Sequence, residues 1–372
     1  MGLGYWASLQ RPREDTVDTA VRTVDVAVIG GGPAGLAVGY YLRKAEADCV
    51  ILDGQGAPGG FWNGSWNEYW DSLRLLSSAE HSSLPGWPMP EEPGQERPSA
   101  QHVADYLAEY ERRHDLPVHR PVTVSEVRRA GGALEVVGST GTWRARHVVS
   151  ATGTWRRPHT PDHPGRELFE GRQLHTVDYR RPEEFAGRHV VVVGSGNSAA
   201  QLLAELSEVA HTTWVTRRPP RFMTGDVYGR VLCDTATRRA QGGTTHGSAG
   251  SLDDIVMVPS VRRARDRGVL EARPMFERLT RTGIAWADGT EQSADAVLWC
   301  TGFRPALDHL APLEPFDADG RIPVDGNRCL REPYLHLLGY GGWTGAASDT
   351  LLGAGHTAEA AVDRIVEDLS AG

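Results

Sequence analysis

Gly30, Gly32 and Gly35 are spaced G-x-G-x-x-G, with Pro33 and Ala34 filling the gap before the third glycine. The run Val24-Asp-Val-Ala-Val-Ile29 ahead of them reads as a buried strand, and Leu36–Lys44 behind them as a helix. A second strand, Cys49-Val-Ile-Leu52, ends on Asp53. In such a unit the first glycine makes the tight turn, the second lets backbone N–H groups approach a pyrophosphate, and the third lets helix and strand pack closely. The acid at the second strand's end is suited to hydrogen-bond an adenosine ribose. A glycine-rich turn would satisfy the spacing alone; strand, helix and acid in that order point to a dinucleotide.

The pattern returns at Gly194-x-Gly196-x-x-Ala199, after His189-Val-Val-Val-Val193 and before a helical stretch through Leu202, Leu203 and Leu206. Alanine is tolerated as the third member because a methyl group still fits the helix–strand contact. The next strand, Thr212-Thr-Trp-Val-Thr216, ends on Arg217-Arg218 instead of an acid. A guanidinium there grips a 2′-phosphate, which favours NADPH over NADH; a solvated basic turn is the plainer alternative. Hydride transfer between two dinucleotides needs two facing pyrophosphate sites with an isoalloxazine between them. The expected cofactors are therefore FAD at the first loop and NADPH at the second.

The elements that must hold these loops follow from periodicity. Gly54–Ser99 is rich in Gly, Pro, Ser and Trp and reads as long loops with room for one short helix. Gln101–His114 is an amphipathic helix with Val103, Tyr106, Leu107 and Tyr110 on one face, and Val122–Val149 reads as a small antiparallel excursion. Pattern is lost from Arg221 to Ser260, where Gln241–Gly250 reads as a mobile loop; Ala294–Cys300 is a buried strand and Ala354–Leu369 a closing helix. Strands and helices alternating twice over predict an α/β fold: two Rossmann-like dinucleotide-binding domains, the NADPH domain inserted in the FAD domain, with parallel sheets and small antiparallel excursions. The expected boundaries are an extension over 1–23, an FAD domain over 24–160 and 290–372, and an NADPH domain over 161–289.

Composition narrows the function classes. A net charge of −9 over 372 residues argues against a nucleic-acid binder. Met1–Thr23 lacks the apolar core of a signal peptide, and no apolar run is long enough for a membrane span. Cys49, Cys233, Cys300 and Cys329 form no C-x-x-C pair, zinc spacing or disulfide framework, which predicts a reduced, cytoplasmic protein without a metal. Nothing in the sequence reads out a homo-oligomer.

Five motifs, in order, resemble the class B flavin-dependent monooxygenases: Gly30-x-Gly-Pro-Ala-Gly35, Gly59-Gly60-Phe61-Trp62, Ala151-Thr152-Gly153-Thr-Trp155, Gly194-x-Gly196-Asn197-Ser198 and Cys300-Thr301-Gly302-Phe303. Phe169-Glu-Gly-Arg-Gln-Leu-His-Thr-Val-Asp-Tyr179 fits the F-x-G-x-x-x-H-x-x-x-[YF] fingerprint of the flavin-containing and N-hydroxylating branch; the Baeyer–Villiger version ends in Trp-Pro, where this chain has Tyr179-Arg180. The likeness covers nearly all of the chain from Val24. Trp70-Asp-Ser-Leu-Arg-Leu75 and Leu84-Pro-Gly-Trp-Pro88 look like those of the short bacterial ArsO-type enzymes.

The resemblance implies that NADPH reduces FAD, O2 adds at the flavin C4a, and the peroxide gives one oxygen to a soft nucleophile (S, N, Se or As) of a small-molecule substrate. It implies that Gly59, Gly60, Phe61 and Trp62 line the flavin, and that Ala151-Thr152-Gly153 and Thr301-Gly302 are the strand ends where the chain crosses between domains. His175 would lie in the interdomain linker and couple NADPH seating to flavin reduction without acting as an acid or base. Asn197 and Ser198 would hold the nicotinamide half. Trp62, Trp66 and Trp70 read as a loop over the flavin or as core. One departure is Ser77-Ser78-Ala79, where many relatives carry an asparagine near the flavin's oxygen-reactive edge. The competing function is an NAD(P)H-driven reductase serving a quinone or other acceptor, its disulfide branch disfavoured by the missing C-x-x-C; a redox sensor would not need the NADPH site.

Overall fold

The computed structural model of the chain describes residues 21–59, 69–223, 254–345 and 347–371. The first unit is laid down as strand β1 (Val21–Ile29), helix α1 (Pro33–Lys44), β2 (Cys49–Leu52), helix α2 (Ala100–Arg113), β3 (Val118–His119), β4 (Val124–Ala130), β5 (Ala133–Gly138) and β6 (Gly141–Ser150). The second comprises β7 (Arg172–His175), β8 (His189–Val193), α3 (Asn197–Leu206), β9 (His211–Thr216), the helix Pro259–Asp266 and β10 (Ala272–Pro274). A three-stranded antiparallel sheet of β11 (Arg278–Thr280), β12 (Gly283–Ala285) and β13 (Glu291–Ser293) precedes β14 (Ala296–Trp299). The chain then returns to the first unit with β15 (Val324–Asp325), β16 (Arg328–Cys329), β17 (Leu335–Leu337) and the helix Leu351–Ala371.

β1 runs parallel to β2 and β6, pairing Val28 with Ile51 on one side and Val149 on the other. The sheet order is β15-β16-β17-β6-β1-β2-β3, with β4 and β5 added as an antiparallel meander on β6. Val26–Ile29 are at most 4% exposed because both faces are covered. Leu36 and Val38 of α1 pack with Ala354, Ala358 and Ala361 of the C-terminal helix on one face; Val127, Trp143 and Leu310 cover the other. A parallel strand covered twice must be apolar throughout, which is why it reads as a continuous run. The second sheet, β10-β9-β8-β14-β7, is parallel throughout and rests on Val190–Val193.

The amphipathic helix forms as expected, with Ser99 as its N-cap accepting from His102 N at 3.2 Å. Its buried tyrosines fix the Pro-rich loop beside it. The Tyr106 hydroxyl accepts from Leu84 N and donates to Trp87 O, both at 2.8 Å, while the Tyr110 hydroxyl donates to Pro85 O at 2.7 Å.

Four expectations are corrected. β1 begins at Val21 and not Val24, because Val21, Arg22 and Thr23 pair with Thr142, Trp143 and Arg144 and extend the ladder with β6. β6 belongs to the parallel sheet as well as to the antiparallel excursion. β14 pairs with β7 and β8, so the second unit runs past residue 289 to the end of that strand. Pro259–Asp266, in a stretch without visible pattern, is a helix whose buried positions are Val261 and Ala264 alone, too few to show a period. Gln241–Gly250 lies outside the described residues. Among the described residues no helix is long and apolar enough to cross a membrane.

Candidate functional site

The two glycine loops are built to one plan. Gly30 N donates to Leu52 O at 2.8 Å, and Gly194 N to Val215 O at 3.0 Å. Ala151 N donates to Ile29 O and Cys300 N to Val193 O, each at 2.8 Å. Gly30 has φ +112° and Gly194 φ +141°; a Cβ would come within 2.4 Å of Ala151 O at the first and 2.3 Å of Cys300 O at the second. Only glycine fits where the turn is pressed against the returning strand end. At Gly32 and Gly196, the residues preceding α1 and α3, an added Cβ would meet nothing within 4 Å. Space is therefore open beside the second glycine of each loop, and both loops stand at a helix N-terminus, where a pyrophosphate would fit.

A cavity of about 660 Å³ runs from the first loop to Ser198 in the first turn of α3. Its wall includes Gly30–Ala34, Asp53, Thr152 and Gly153 from the first unit and Thr176 and Ser198 from the second, with Trp70, Trp155 and Phe303 between. Trp155 and Phe303 follow the two Thr-Gly crossings and stack at 5.1 Å between centroids. The crossings themselves run side by side: Thr301 Oγ1 donates to His159 O, and His159 N donates to Gly302 O.

Asp53 is 4% exposed at the end of β2. Its Oδ2 accepts from Arg120 Nε at 3.0 Å and its Oδ1 from Gln55 N at 3.2 Å, while Arg120 reaches Glu111 at 2.7 Å. Arg120 therefore fixes the acid that the sequence singled out, a partner that no local motif announces. Arg217 and Arg218 are exposed just beyond β9, the position equivalent to Asp53. Gly59 is buried; Gly60, Phe61 and Trp62 lie outside the described residues, as does Trp66.

His175 occupies the end of β7, an edge strand of the second sheet, rather than an irregular linker. It is 4% exposed, with Nδ1 accepting from Val177 N at 3.3 Å and Nε2 donating to Gly302 O at 3.0 Å. Burial pulls its pKa below the ordinary histidine value against the opposing bond to Gly302, so the ring is neutral and both nitrogens are engaged by backbone. The imidazole ties the fingerprint segment to the crossing and packs edge-on against Phe303 at 5.1 Å. Phe169 and Tyr179 are core, and Gly171 would drive a Cβ to 2.3 Å from the Phe169 ring.

Asn197, expected at the nicotinamide, has its amide on backbone: Oδ1 accepts from Val256 N at 2.8 Å and Nδ2 donates to Asp254 O at 3.5 Å. Its neighbour Ser198 faces the cavity. Ser77 and Ser78 are occupied with Ser82 at 2.8 Å and His81 at 3.0 Å.

Sequence reasoning missed a buried polar network behind the first crossing. Ser150 Oγ shares hydrogen bonds with His309 Nε2 at 3.2 Å and Tyr340 Oη at 2.9 Å, and Tyr340 Oη also accepts from Thr152 N at 3.1 Å. Burial lowers the His309 pKa to about 4. His309 and Gly339 line the cavity. Gly339 and Tyr340 follow the three-residue strand Leu335–Leu337 and His309 stands in the short 3-10 turn Asp308–Leu313, both too short for periodicity to reveal.

Comparison with known proteins gives a concordant result. A family model described as pyridine nucleotide-disulphide oxidoreductase matches residues 27–329. The chain is 47% identical to a flavin-containing monooxygenase from Stenotrophomonas maltophilia, covering 94% of this chain and 100% of that one, with a TM-score of 0.85. It is 27% identical to an oxidoreductase described as CzcO-like from Geobacillus kaustophilus, covering 88% of this chain and 97% of that protein. An indole-3-pyruvate monooxygenase from Oryza sativa subsp. japonica is 25% identical, over 90% of this chain and 87% of its own length.

Proposed function

The chain belongs to the pyridine nucleotide-disulphide oxidoreductase family and is a flavin-dependent monooxygenase that uses FAD and NADPH, and from that premise we propose that it delivers one oxygen atom of O2 to a soft heteroatom, S, N, Se or As(III), of a small substrate. The second oxygen atom leaves as water, and the two electrons come from NADPH. When bound, FAD supplies hydride acceptance and oxygen activation, chemistry that belongs to the cofactor and not to a side chain.

The observation that supports the reading is a cavity walled by Gly30–Ala34 of the first glycine loop and, from the second unit, by Thr176 and by Ser198 in the first turn of α3, just past the second glycine loop. Gly30–Gly35 would hold the FAD pyrophosphate and Asp53, steadied by Arg120, its ribose. Gly59 and the adjoining Gly60-Phe61-Trp62 would lie along the flavin, with Thr152, Gly153, Thr301 and Gly302 at the crossings. Gly194, Gly196 and Ser198 would receive NADPH, Arg217 and Arg218 its 2′-phosphate, with Asn197 positioning the loop. His175 holds the crossing and moves no proton. The aromatic pair Trp155–Phe303 helps exclude water, which limits loss of oxygen as H2O2. The choice of a soft heteroatom over a ketone rests on the fingerprint ending Tyr179-Arg180.

Enzyme, NADPH and ¹⁸O2 offered a thioether, a tertiary amine, a trivalent arsenical and a cyclic ketone test the reading by mass spectrometry. One ¹⁸O should enter a heteroatom product and the other should enter water. Label appearing only in an ester from the ketone, or only in H2O2, overturns the substrate class.

A further inference from the structure

Trp70–Leu73 precedes the second unit in the chain, yet it is built into that unit. Trp70 is 6% exposed and belongs to the second unit's core with Leu174, Tyr179 and Leu203; Leu73 packs against the same core. Asp71 N donates to Arg180 O at 3.0 Å. Ser72 Oγ donates to Glu205 Oε2 at 2.5 Å, across 133 residues of sequence. Glu205 is in the last turn of α3, the helix that opens at the second glycine loop. Trp70 and Leu73 also wall the cavity, so one side of it is fastened to the unit carrying Gly194 and Gly196.

Glu205 has little other reason to be acidic. Its Oε1 and the Tyr179 hydroxyl are enclosed and neighbour each other. Burial raises the Glu205 pKa, Glu183 and Asp71 add to the rise, and the contacts with Ser72 and Tyr179 oppose it. An enclosed carboxyl oxygen costs stability that an apolar side chain would not. What the acid reaches, Ser72 between the wall residues Trp70 and Leu73, accounts for its presence.

We propose that Glu205 is a positioning residue that clamps Trp70–Ser72 to α3 above Tyr179, so that this stretch is held by the NADPH-binding unit, while Leu73, whose carbonyl accepts from Ala100 N at 3.1 Å, marks where the wall passes to the FAD-binding unit. The inference goes beyond the heteroatom reading, resting only on the cavity as the reaction site.

Hydrogen exchange of the full chain, with and without FAD, tests the clamp in Ser72→Ala, Glu205→Ala and Glu205→Gln. In both alanine variants the peptide covering 69–76 should exchange about tenfold faster, while the peptide covering 30–44 stays at its wild-type rate. Glu205→Gln keeps an acceptor and should restore most of the protection. With FAD and NADPH supplied, the alanine variants should lose a several-fold larger share of NADPH as H2O2 at unchanged FAD affinity. Unchanged exchange at 69–76, or a rise spread evenly over the chain, overturns the proposal. Because Ser72 is exposed, its variant stays informative if Glu205→Ala fails to fold. Exchange without cofactor is independent of the substrate, so failure of the clamp is separable from failure of the heteroatom reading.

Discussion

Acid should unfold this protein through three buried histidines. Burial is the largest cause in each case. It lowers His147 to about 4 and His309 to about 4; for His336 burial, with nearby His147, Arg328 and Arg364, lowers the value to about 3. All three are at most 7% exposed. A histidine lowered from 6.5 is neutral in the folded protein but takes a proton in the unfolded chain once the pH falls below 6.5, so stability is intact above that value and drains away towards pH 4. At pH 5, holding one such imidazole neutral costs about 2 kcal/mol. Three together cost about 6 kcal/mol, against a usual margin of about 5–15 kcal/mol. His114, His163, His175 and His189 are shifted the same way; Glu205, shifted up, takes its proton earlier when folded and offsets part of the loss. Glu92, shifted down, acts only below its ordinary value of 4.5, near the bottom of the window. Thermal unfolding of the holoenzyme between pH 7.5 and 5 should show Tm falling by about 10 °C, and His147→Leu, which removes a ring whose Nδ1 has no partner, should lower the proton count in the slope by about one. A flat Tm over that range, or a slope indifferent to His147, refutes the reasoning.

Gly32→Val should leave stability within about 1 kcal/mol, since Gly32 has φ −82° and open space at Cβ, yet reduce bound FAD at least about tenfold; Gly30→Ala, strained at φ +112° against Ala151 O, should instead fail to fold. Flavin absorbance and circular dichroism on the two variants separate these outcomes. Arg217→Ala with Arg218→Ala should lower the kcat/KM ratio of NADPH to NADH by about tenfold or more, and an unchanged ratio in steady-state kinetics shows that the arginines point elsewhere. His175→Ala removes both ring contacts to backbone and should slow flavin reduction by about tenfold with FAD retained; loss of FAD in gel filtration would mean that the residue supports the fold instead.

What the sequence made legible was what repeats within short reach. β1, β2, β8 and β9 are four to nine residues long and nearly apolar along their buried portions, and each precedes a loop or charge whose chemistry is local. The crossings at Ala151 and Cys300 came from their Thr-Gly signatures. What stayed hidden was set by distant partners. Arg120 reaches Asp53 over 67 residues, Ser150 reaches Tyr340 over 190, and β14 reads like any buried strand until its neighbours β7 and β8 are known. The assignment of Asn197 to the nicotinamide failed to anticipate that Val256, 59 residues on, would take its side-chain oxygen.

The duplicated plan also explains where the two units had to differ. Both use the same backbone bonds, the same strained first glycine and the same Thr-Gly exit; on the proposed binding those parts would address a pyrophosphate, which is the same in either dinucleotide. The plan departs at the residue that ends the second strand, Asp53 in one unit and Arg217 after Thr216 in the other. That is the position from which an adenosine ribose is read. An acid that meets a free hydroxyl must be desolvated and held, which Arg120 and Gln55 do for Asp53. An arginine that meets a phosphate brings its own charge and can remain exposed until the ligand arrives; Arg217 and Arg218 are exposed. On the proposed binding, the burial of the one and the exposure of the other would follow from the two ribose groups they meet, and so would the asymmetry in how readily each could be found: the arginines announce themselves in the sequence, whereas the aspartate's support appears only once the chain is folded.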